Sequence, residues 1–438
     1  MRSGGTVCVA GVGRAAETQA RVPVLLGGCA RVLIAMDLGI YVQVPFCQTK
    51  CTYCNFHTGV VSSARFAPYV EAVCREMTDY RALYRASGVG LPESFADAIG
   101  DTVYIGGGTP SLLDAGHLQR ILDVIRETFG LNSECEAPAS EGGRYKDGAE
   151  VALEADPETV EVEKARAWVR AGINRVSFGV QSFSDRELVA TGRMHRRADI
   201  YRAAGILRDA GIGNISFDLI AGLPHQTRES WGNSLEELAG LAPEHVSVYL
   251  LEIDEGSRLG GEVLRGGARY SAGELPSEDE MAEFYETACD FLGRAGYRHY
   301  EISNWGKPGF ESRHNLKYWR REPYLGFGAG AHSFSGTERW ANAHDAAEYV
   351  QALSGGKLPV EQHEILTAAG ALEEELFLGL RQLEGIDVGR IERQYGTALA
   401  GRFDRLASAG LVERDGSVVR LAPGRLSVSN EVFVELMR

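Results

Sequence analysis

The feature that most constrains the fold is an alternation of short apolar runs with longer amphipathic stretches between residues 39 and 251. Six runs have the length and composition of buried strands, and they begin at Gly39, Asp101, Glu150, Asn174, Asn214 and His245. The stretches between them, such as 65–84 and 197–211, have the pattern of helices. Continuous apolar strands that alternate with helices are typical of a parallel sheet covered by helices. The pattern predicts an α/β fold, and six units in this length favour an open, partial (β/α)6 barrel.

The C-terminal part, from about residue 366, has a different character. Its pattern predicts three helices and then a short hairpin that turns at Asp415-Gly416, which is the order of a winged-helix module. Such modules often bind DNA, but this one carries several acidic side chains, and the whole chain has a net charge of −15. That charge disfavours a general phosphate-backbone binder. We therefore expect no nucleic-acid partner, and a small helical, winged-helix-like domain that packs or docks a partner.

These patterns divide the chain into four predicted regions. Residues 1–35 are rich in Arg and contain a single acid, so they are either an organellar transit peptide or, as we favour, a non-native or disordered leader before a true start at Met36. Residues 36–300 would form the partial barrel, 301–365 a connecting region and 366–438 the C-terminal domain. A polar, turn-rich stretch at 131–150 predicts an exposed loop.

Composition bounds the location of the protein. No run reaches the roughly 18–20 apolar residues that a membrane-spanning helix needs. Five of the eight cysteines are scattered without rhythm, which indicates reduced thiols rather than a secreted disulfide framework. We therefore expect a cytoplasmic protein.

The other three cysteines form a cluster directly after the first predicted strand. Cys47, Cys51 and Cys54 have the spacing C-x3-C-x2-C, which lets one loop wrap a compact metal centre. A structural zinc site is one alternative, with His57 as the fourth ligand. The position favours an iron–sulfur cluster, because loops after barrel strands form the active-site face of such folds. Three thiolates on a four-iron cluster leave one iron open for another ligand.

The cysteine spacing resembles the motif of the radical SAM superfamily. In that family the open iron binds the amine and carboxylate of S-adenosylmethionine (SAM), and an electron from the [4Fe–4S] cluster cleaves the sulfonium. A glycine-rich turn, Gly106 to Leu113, follows the second strand where the family holds the amino group of SAM. The resemblance implies SAM contacts from polar, aromatic and glycine residues near predicted strand ends: Tyr41, Tyr53, Gly107, Gly108, Thr109, Glu154, Gln181, Arg193 and Asp218.

Two branches of the superfamily resemble the chain from about residue 37 to its end. One is the oxygen-independent coproporphyrinogen III dehydrogenase, which decarboxylates two propionate side chains in heme biosynthesis. The other is the HemW family of heme chaperones. The dehydrogenase motif continues with a fourth cysteine, whereas this chain has Phe56, which can neither ligate nor donate a hydrogen atom as a thiol does. HemW proteins resemble this chain in carrying Phe there.

A second motif, "HNLKYW" from His314 to Trp319, also resembles HemW proteins, where it is associated with heme binding. The resemblance implies His314 as an axial ligand with Tyr318 and Trp319 against the porphyrin, and His332 is a weaker ligand candidate. An isolated motif of this kind would instead be a hydrogen-bonded core histidine with packed aromatics.

The resemblance to HemW proteins implies a heme chaperone that carries a [4Fe–4S] cluster, SAM and heme and delivers heme to respiratory hemoproteins. It implies no catalytic residue and leaves peripheral membrane contact and a homodimer open. The dehydrogenase, a radical reaction on another tetrapyrrole, and a purely structural cluster are the alternatives.

Overall fold

The computed structural model describes residues 36–89, 91, 95, 98–131 and 148–437. The leader 1–35 and most of the predicted loop at 131–150 lie outside the described residues. The strands, in chain order, are β1 (Asp37–Val44), β2 (Phe46–Cys47), β3 (Gly59–Val60), β4 (Ile99–Gly107), β5 (Glu150–Ala155), β6 (Arg175–Gln181), β7 (Asn214–Ala221), β8 (His245–Leu250), β9 (Arg298–Glu301), β10 (Asn304–Gly306), β11 (Tyr324–Phe327), β12 (His332–Phe334), β13 (Glu338–Asn342), β14 (Val360–Ile365), β15 (Ile386–Asp387), β16 (Val412–Asp415) and β17 (Val418–Leu421). The α-helices are α1 (Phe66–Ser87), α2 (Ala115–Phe129), α3 (Val162–Arg170), α4 (Asp185–Ala190), α5 (Arg197–Ala210), α6 (Arg228–Leu241), α7 (Arg258–Leu264), α8 (Glu278–Arg294), α9 (Arg313–Trp319), α10 (Ala346–Ser354), α11 (Ala368–Arg381), α12 (Val388–Tyr395), α13 (Ala400–Ser408) and α14 (Ser429–Met437).

The six predicted strands form the centre of one large sheet. They are β1, β4, β5, β6, β7 and β8, they pair in that order, and every pairing between them is parallel. Helices connect them, as α2 does between β4 and β5. Parallel strands need such crossovers, and their carboxyl ends meet at one edge. The predicted α/β fold with strand–helix units is confirmed.

The whole sheet is mixed, because strands beyond the six predicted ones join both of its edges. Its full order is β14-β13-β12-β11-β1-β4-β5-β6-β7-β8-β10-β9. At one edge β11 runs parallel to β1, and the strands that follow it, β12, β13 and β14, pair antiparallel, each with the one before. At the other edge β10 pairs antiparallel with β8 and with β9. The chain from β9 to β14 therefore extends both edges of the central sheet.

The core of the sheet is apolar and contains large aromatic side chains. Four tryptophans, Trp168, Trp231, Trp305 and Trp340, are fully buried. Capping residues fix where several covering helices begin: Ser277 caps α8 and Asp114 caps α2 through its contact with the amide of His117, 2.8 Å away. Burial of this apolar surface stabilises the packing of the helices on the sheet, and the caps fix the residues at which those helices begin.

The C-terminal segment has the predicted order of elements. Helices α11, α12 and α13 precede the β16–β17 hairpin, which turns with Gly416 at φ +63°. A third short strand, β15, pairs with β17. The division into regions 36–300, 301–365 and 366–438 stays a prediction. Within the described residues, no helix is both long enough and apolar enough to span a membrane.

Candidate cofactor site at the carboxyl ends of the strands

The three clustered cysteines lie in a loop that closes on itself directly after β1. The loop runs from Cys47 to Val60, and its two ends pair as the parallel strands β2 and β3. The amide of Gly59 donates to the carbonyl of Pro45 at 2.9 Å, which fixes the base of the loop. The amide of Thr52 donates to the carbonyl of Thr191 at 3.0 Å, so the loop also contacts the end of α4. The thiols are therefore held at the carboxyl end of β1, where the sequence predicted them.

The surroundings of the thiols combine burial with the nearby cations Lys50 and Arg193. Burial raises the pKa of the Cys47 and Cys54 thiols above the ordinary range, and hydrogen bonds from neighbouring threonines and backbone oppose that effect. The guanidinium of Arg193 lies 3.6 Å from the sulfur of Cys51. In the described part of the chain no three His, Cys, Asp or Glu side chains converge closely enough to hold a single metal ion. The donor set of three soft thiols in one loop suits a larger iron–sulfur centre.

The glycines at the end of β4 bring bare backbone against this loop. Gly107 has a φ of +113°, and a Cβ on it would lie 2.5 Å from the side chain of Gln43. A Cβ on Gly108 would lie 2.5 Å from the carbonyl oxygen of Phe46 and 3.0 Å from the sulfur of Cys47. The amide of Thr109 donates to the same carbonyl at 2.7 Å. Because the glycines have no side chain, the backbone of the turn can lie directly against the Phe46 carbonyl and the Cys47 thiol.

Gly108→Ala is expected to destabilise the protein by about 1–3 kcal/mol, because the backbone must move to accept the new methyl group. Gly205→Ala is the matched control. Gly205 is exposed inside α5 with no neighbour within 4 Å of a built Cβ, so alanine there should stabilise by about 0.5–1 kcal/mol. Urea unfolding of both variants measures the two changes, and an unaltered midpoint for Gly108→Ala would contradict the close packing.

A half-buried carboxylate lies beside the glycine turn, at the end of β5. Glu154 accepts hydrogen bonds from the Tyr104 hydroxyl and the Gly107 amide, both at 2.9 Å. Burial raises the pKa of Glu154 to about 7, partly offset by these two donors. The ring of Tyr41 stacks on that of Tyr104 at 6.2 Å, and its hydroxyl hydrogen-bonds the side chain of Gln43. The predicted residues Tyr41 and Glu154 are thus brought together with the predicted glycines.

The remaining predicted polar residues surround a second point, at the end of β6. A Cβ on Gly179 would lie 2.9 Å from the Gln181 amide nitrogen and 3.0 Å from the Arg193 guanidinium, so these two side chains converge there. Gln181 has a φ of +64°, a strained conformation for a residue other than glycine. The Arg193 guanidinium donates to the Gly179 carbonyl at 2.6 Å and forms an ion pair with Asp156.

Asp218 and Tyr53 lie near the two groups just described. The Asp218 carboxylate accepts from the Ser177 hydroxyl at 2.9 Å, and its charge adds to the rise in the pKa of Glu154. Burial raises the pKa of Asp218 itself. Tyr53 belongs to the cysteine loop, where it is half-buried and interacts with Arg193, and burial raises its pKa well above the ordinary value. All nine predicted SAM-contact residues therefore lie in the carboxyl-terminal halves of β1, β4, β5, β6 and β7 or in the segments that follow these strands.

Sequence reasoning missed two residues of this site. Tyr104 precedes Gly106 by two positions on β4, so strand alternation places it on the same face as the glycine turn. Asp156 follows Glu154 by two positions, and it accepts from the Thr109 hydroxyl at 3.0 Å as well as pairing with Arg193. Tyr104 and Asp156 each lie two positions from a predicted site residue near a strand end, and that spacing could have indicated them from the sequence.

The predicted heme motif is built into the fold. His314 is fully buried, with its Nδ1 2.9 Å from the Thr102 hydroxyl and its Nε2 2.8 Å from the Tyr318 hydroxyl. Burial lowers the pKa of His314 to about 3, so the ring is neutral. Both nitrogens are engaged, and an iron bond to either would break a buried hydrogen bond. In this arrangement His314 has the geometry of a core histidine.

The rest of the motif ties α9 to its surroundings. The Glu150 carboxylate, fully buried at the start of β5, accepts from the amides of Arg313 and His314 at 3.2 and 3.0 Å. At the other end, the Arg381 guanidinium lies 4.4 Å above the ring of Trp319, which connects α9 with α11. The sequence could not show these partners, because they come from distant segments.

Known proteins are similar to this chain in sequence and in fold. Residues 41–238 match the Radical SAM superfamily, and residues 366–424 match the HemN C-terminal domain. The chain is 34% identical over 397 residues to the heme chaperone HemW of Bacillus subtilis, an alignment that covers 90% of this chain and 97% of that protein. Heme chaperone HemW of Mycobacterium tuberculosis H37Rv is 33% identical over 413 residues, which is 93% of this chain and 96% of that one.

A solved structure has the same fold. Coproporphyrinogen III oxidase (HemN) from Escherichia coli superposes with a TM-score of 0.74 at 23% identity, covering 92% of this chain and 90% of that one. At this identity the likeness shows the fold alone.

Proposed function

Because the chain belongs to the HemW family of the radical SAM superfamily, we propose that it is a heme chaperone that binds heme and delivers it to respiratory hemoproteins. The observation that carries the proposal is the 34% identity with a heme chaperone over nearly the whole length of both chains. Delivery would take place in the cytoplasm, with peripheral contact to a membrane where the recipients lie. The proposal includes a homodimer only as one state in which the protein could hold heme.

The proposed cofactors are a [4Fe–4S] cluster on Cys47, Cys51 and Cys54 and one SAM. The residues present fit both groups: three thiols share one loop, and the glycine turn leaves the sulfur of Cys47 open to close approach. When bound, the cluster supplies an electron and SAM a sulfonium that an electron can cleave. The chain itself supplies the Gly107–Thr109 backbone for the methionyl part. The acceptors Glu154 and Asp218, with the side chains of Tyr41, Tyr53, Gln181 and Arg193, would hold the rest of SAM.

The affinity for SAM is expected to rise with pH. In the free protein Glu154 has a pKa of about 7, and a donor on SAM binds the ionised carboxylate better than the protonated one. The ionised fraction grows through pH 7, so the association constant should increase about tenfold between pH 6 and pH 8 and then level off. Calorimetric titration of cluster-loaded protein at three pH values measures this. Glu154→Gln should bind more weakly with a flat profile, and an equally steep profile in that variant would assign the dependence to another group.

The dehydrogenase is the alternative function, and Phe56 argues against it. Its ring is 65% exposed in the cysteine loop, at the position where the dehydrogenase motif has its fourth cysteine. We expect the reconstituted protein, with SAM and reductant, to form no protoporphyrinogen IX from coproporphyrinogen III. Formation of that product at a rate proportional to protein would make the chain an enzyme of heme synthesis.

The proposed function is tested by an anaerobic hemin titration of the cluster-loaded protein, followed by Soret absorbance. Saturable binding with a stoichiometry near one per chain supports the chaperone. A linear, unsaturated response like that of an unrelated acidic protein would remove its basis.

A further inference from the structure

Three histidines from distant segments meet beside the cysteine loop. His57 lies in that loop, His332 begins β12, and His344 follows β13. The rings of His57 and His344 are 4.2 Å apart between centroids. His332 pairs with Ala341 across β12 and β13, and a Cβ on Gly330 would lie 3.0 Å from the Nδ1 atom of His344, so the segments that carry His332 and His344 are adjacent. We call these three residues the histidine cluster.

A buried carboxylate holds two of the three segments in place. Glu76 on α1 is fully buried and accepts from the Gly328 amide at 3.0 Å and from the Asn342 side chain at 2.8 Å. The segments also bond directly, since the Asn342 amide donates to the Ala331 carbonyl at 3.0 Å. The positions of His332 and His344 are therefore set by the fold rather than by a free loop.

The third segment is fixed by the loop that carries the cysteines. The amide of Thr58 donates to the carbonyl of Phe56 at 2.8 Å, which makes a tight turn with His57 at its centre. His57 and Phe56 are both exposed on this turn. Whatever binds against the turn therefore meets an imidazole and an aromatic ring together.

The histidine cluster suits an iron that brings its own ligands. Within the described residues the Nδ1 atom of His344 is buried and has no hydrogen-bond partner, in contrast to His314. The described residues contain no group of three side chains that could hold a bare metal ion. A porphyrin iron needs only one or two axial ligands from the protein, and histidine is the common one.

The surface next to the histidine cluster has the chemical groups of a porphyrin-binding site. Phe56 and Val60 are 65% and 59% exposed, which is unusual for large apolar side chains in so short a loop. The ammonium group of Lys50 lies 3.3 Å from the Phe56 carbonyl oxygen, so a cation that suits a propionate is at hand. An apolar face, imidazoles and a cation are together what a heme would contact.

We infer that the histidine cluster of His57, His332 and His344 supplies the axial ligand of the bound heme, which lies against Phe56 at the rim of the cysteine loop. The inference rests on the proposed function and names its site. His314 then has a structural role, and the HNLKYW motif connects β5 with the C-terminal helix α11. The rings of His57 and His344 are tilted by 39° with centroids 4.2 Å apart, which leaves no room for an iron between them, so one histidine would bind the iron from one face of the porphyrin.

The test is an anaerobic hemin titration of cluster-loaded wild-type protein and of the His332→Ala/His344→Ala variant, which leaves the cysteine loop unchanged. The triple variant adds His57→Ala. His117→Ala/His363→Ala is the matched control, because both of those histidines lie outside every site described above. SAM binding and the absorbance of the iron–sulfur cluster report that each variant is folded and loaded.

We expect both cluster variants to bind hemin at least about tenfold more weakly than the control and to lose the histidine-ligated Soret spectrum, which added imidazole should restore. Wild-type affinity and an unchanged spectrum in the triple variant would overturn the inference and leave the proposed function standing. Absence of saturable binding in the wild-type protein would overturn the proposed function and the inference with it.

Discussion

Cys51→Ser is expected to abolish assembly of the [4Fe–4S] cluster, since a four-iron centre held by three thiolates then loses one of its three protein ligands. The same result is expected for Cys47→Ser and Cys54→Ser. The physical reason is ligand softness: a serine hydroxyl does not stay deprotonated on iron as a thiolate does. Iron content and visible absorbance after anaerobic reconstitution measure the effect.

Cys289→Ser is the matched control, because this half-buried thiol lies on α8, outside the loop. It should load as the wild-type protein does. His57→Ala separates the cluster from the zinc alternative, in which His57 would complete a tetrahedral site. Full loading of iron in His57→Ala agrees with the cluster, whereas a normal cluster in Cys51→Ser would contradict the ligand assignment.

Glu150→Ala is expected to destabilise the protein by about 3–5 kcal/mol, the range found when one member of a buried ion pair is removed. The carboxylate is fully buried and lies 4.0 Å from the Arg175 guanidinium. It also accepts from two amides at the start of α9, so its removal leaves buried donors unsatisfied. Urea unfolding measures the loss.

Two substitutions serve as controls for Glu150→Ala. Glu150→Gln keeps an acceptor of the same shape, and should lose less stability than alanine. Glu163→Ala removes a carboxylate that is 78% exposed on α3 and should change the midpoint very little. Equal midpoints for Glu150→Ala and Glu163→Ala would show that the buried carboxylate does not anchor α9.

The central sheet could be predicted because its strands are buried on both faces. Such strands read as continuous apolar runs, and all six appeared within a few residues of their predicted starts. The edge strands lacked that signal. β14, with the sequence VEQHEI, exposes five of its six residues, and β12 and β10 have only three residues each. These strands join the central sheet through the long-range pairings of β11 with β1 and of β10 with β8, which a single sequence does not display.

Some residues of the site could likewise be predicted from the sequence, and others could not. Residues at a strand end, such as Glu154 at the end of the third predicted strand, were placed by the topology of a parallel sheet. The environment of His314 was not, since its partners Thr102 and Glu150 come from two other strands. The histidine cluster was invisible for the same reason, because His57 and His344 lie in opposite halves of the chain and meet only in the fold.

Transfer of heme from the protein to an acceptor distinguishes a chaperone from a protein that only binds heme. Cluster-loaded protein carrying one equivalent of hemin is mixed anaerobically with an apo form of a respiratory b-type cytochrome, and the Soret spectrum of the acceptor is followed. We expect the acceptor to fill completely, and faster than it does with a non-specific heme carrier at the same concentration. Filling no faster than with that carrier, or retention of the heme by this protein, would contradict a chaperone.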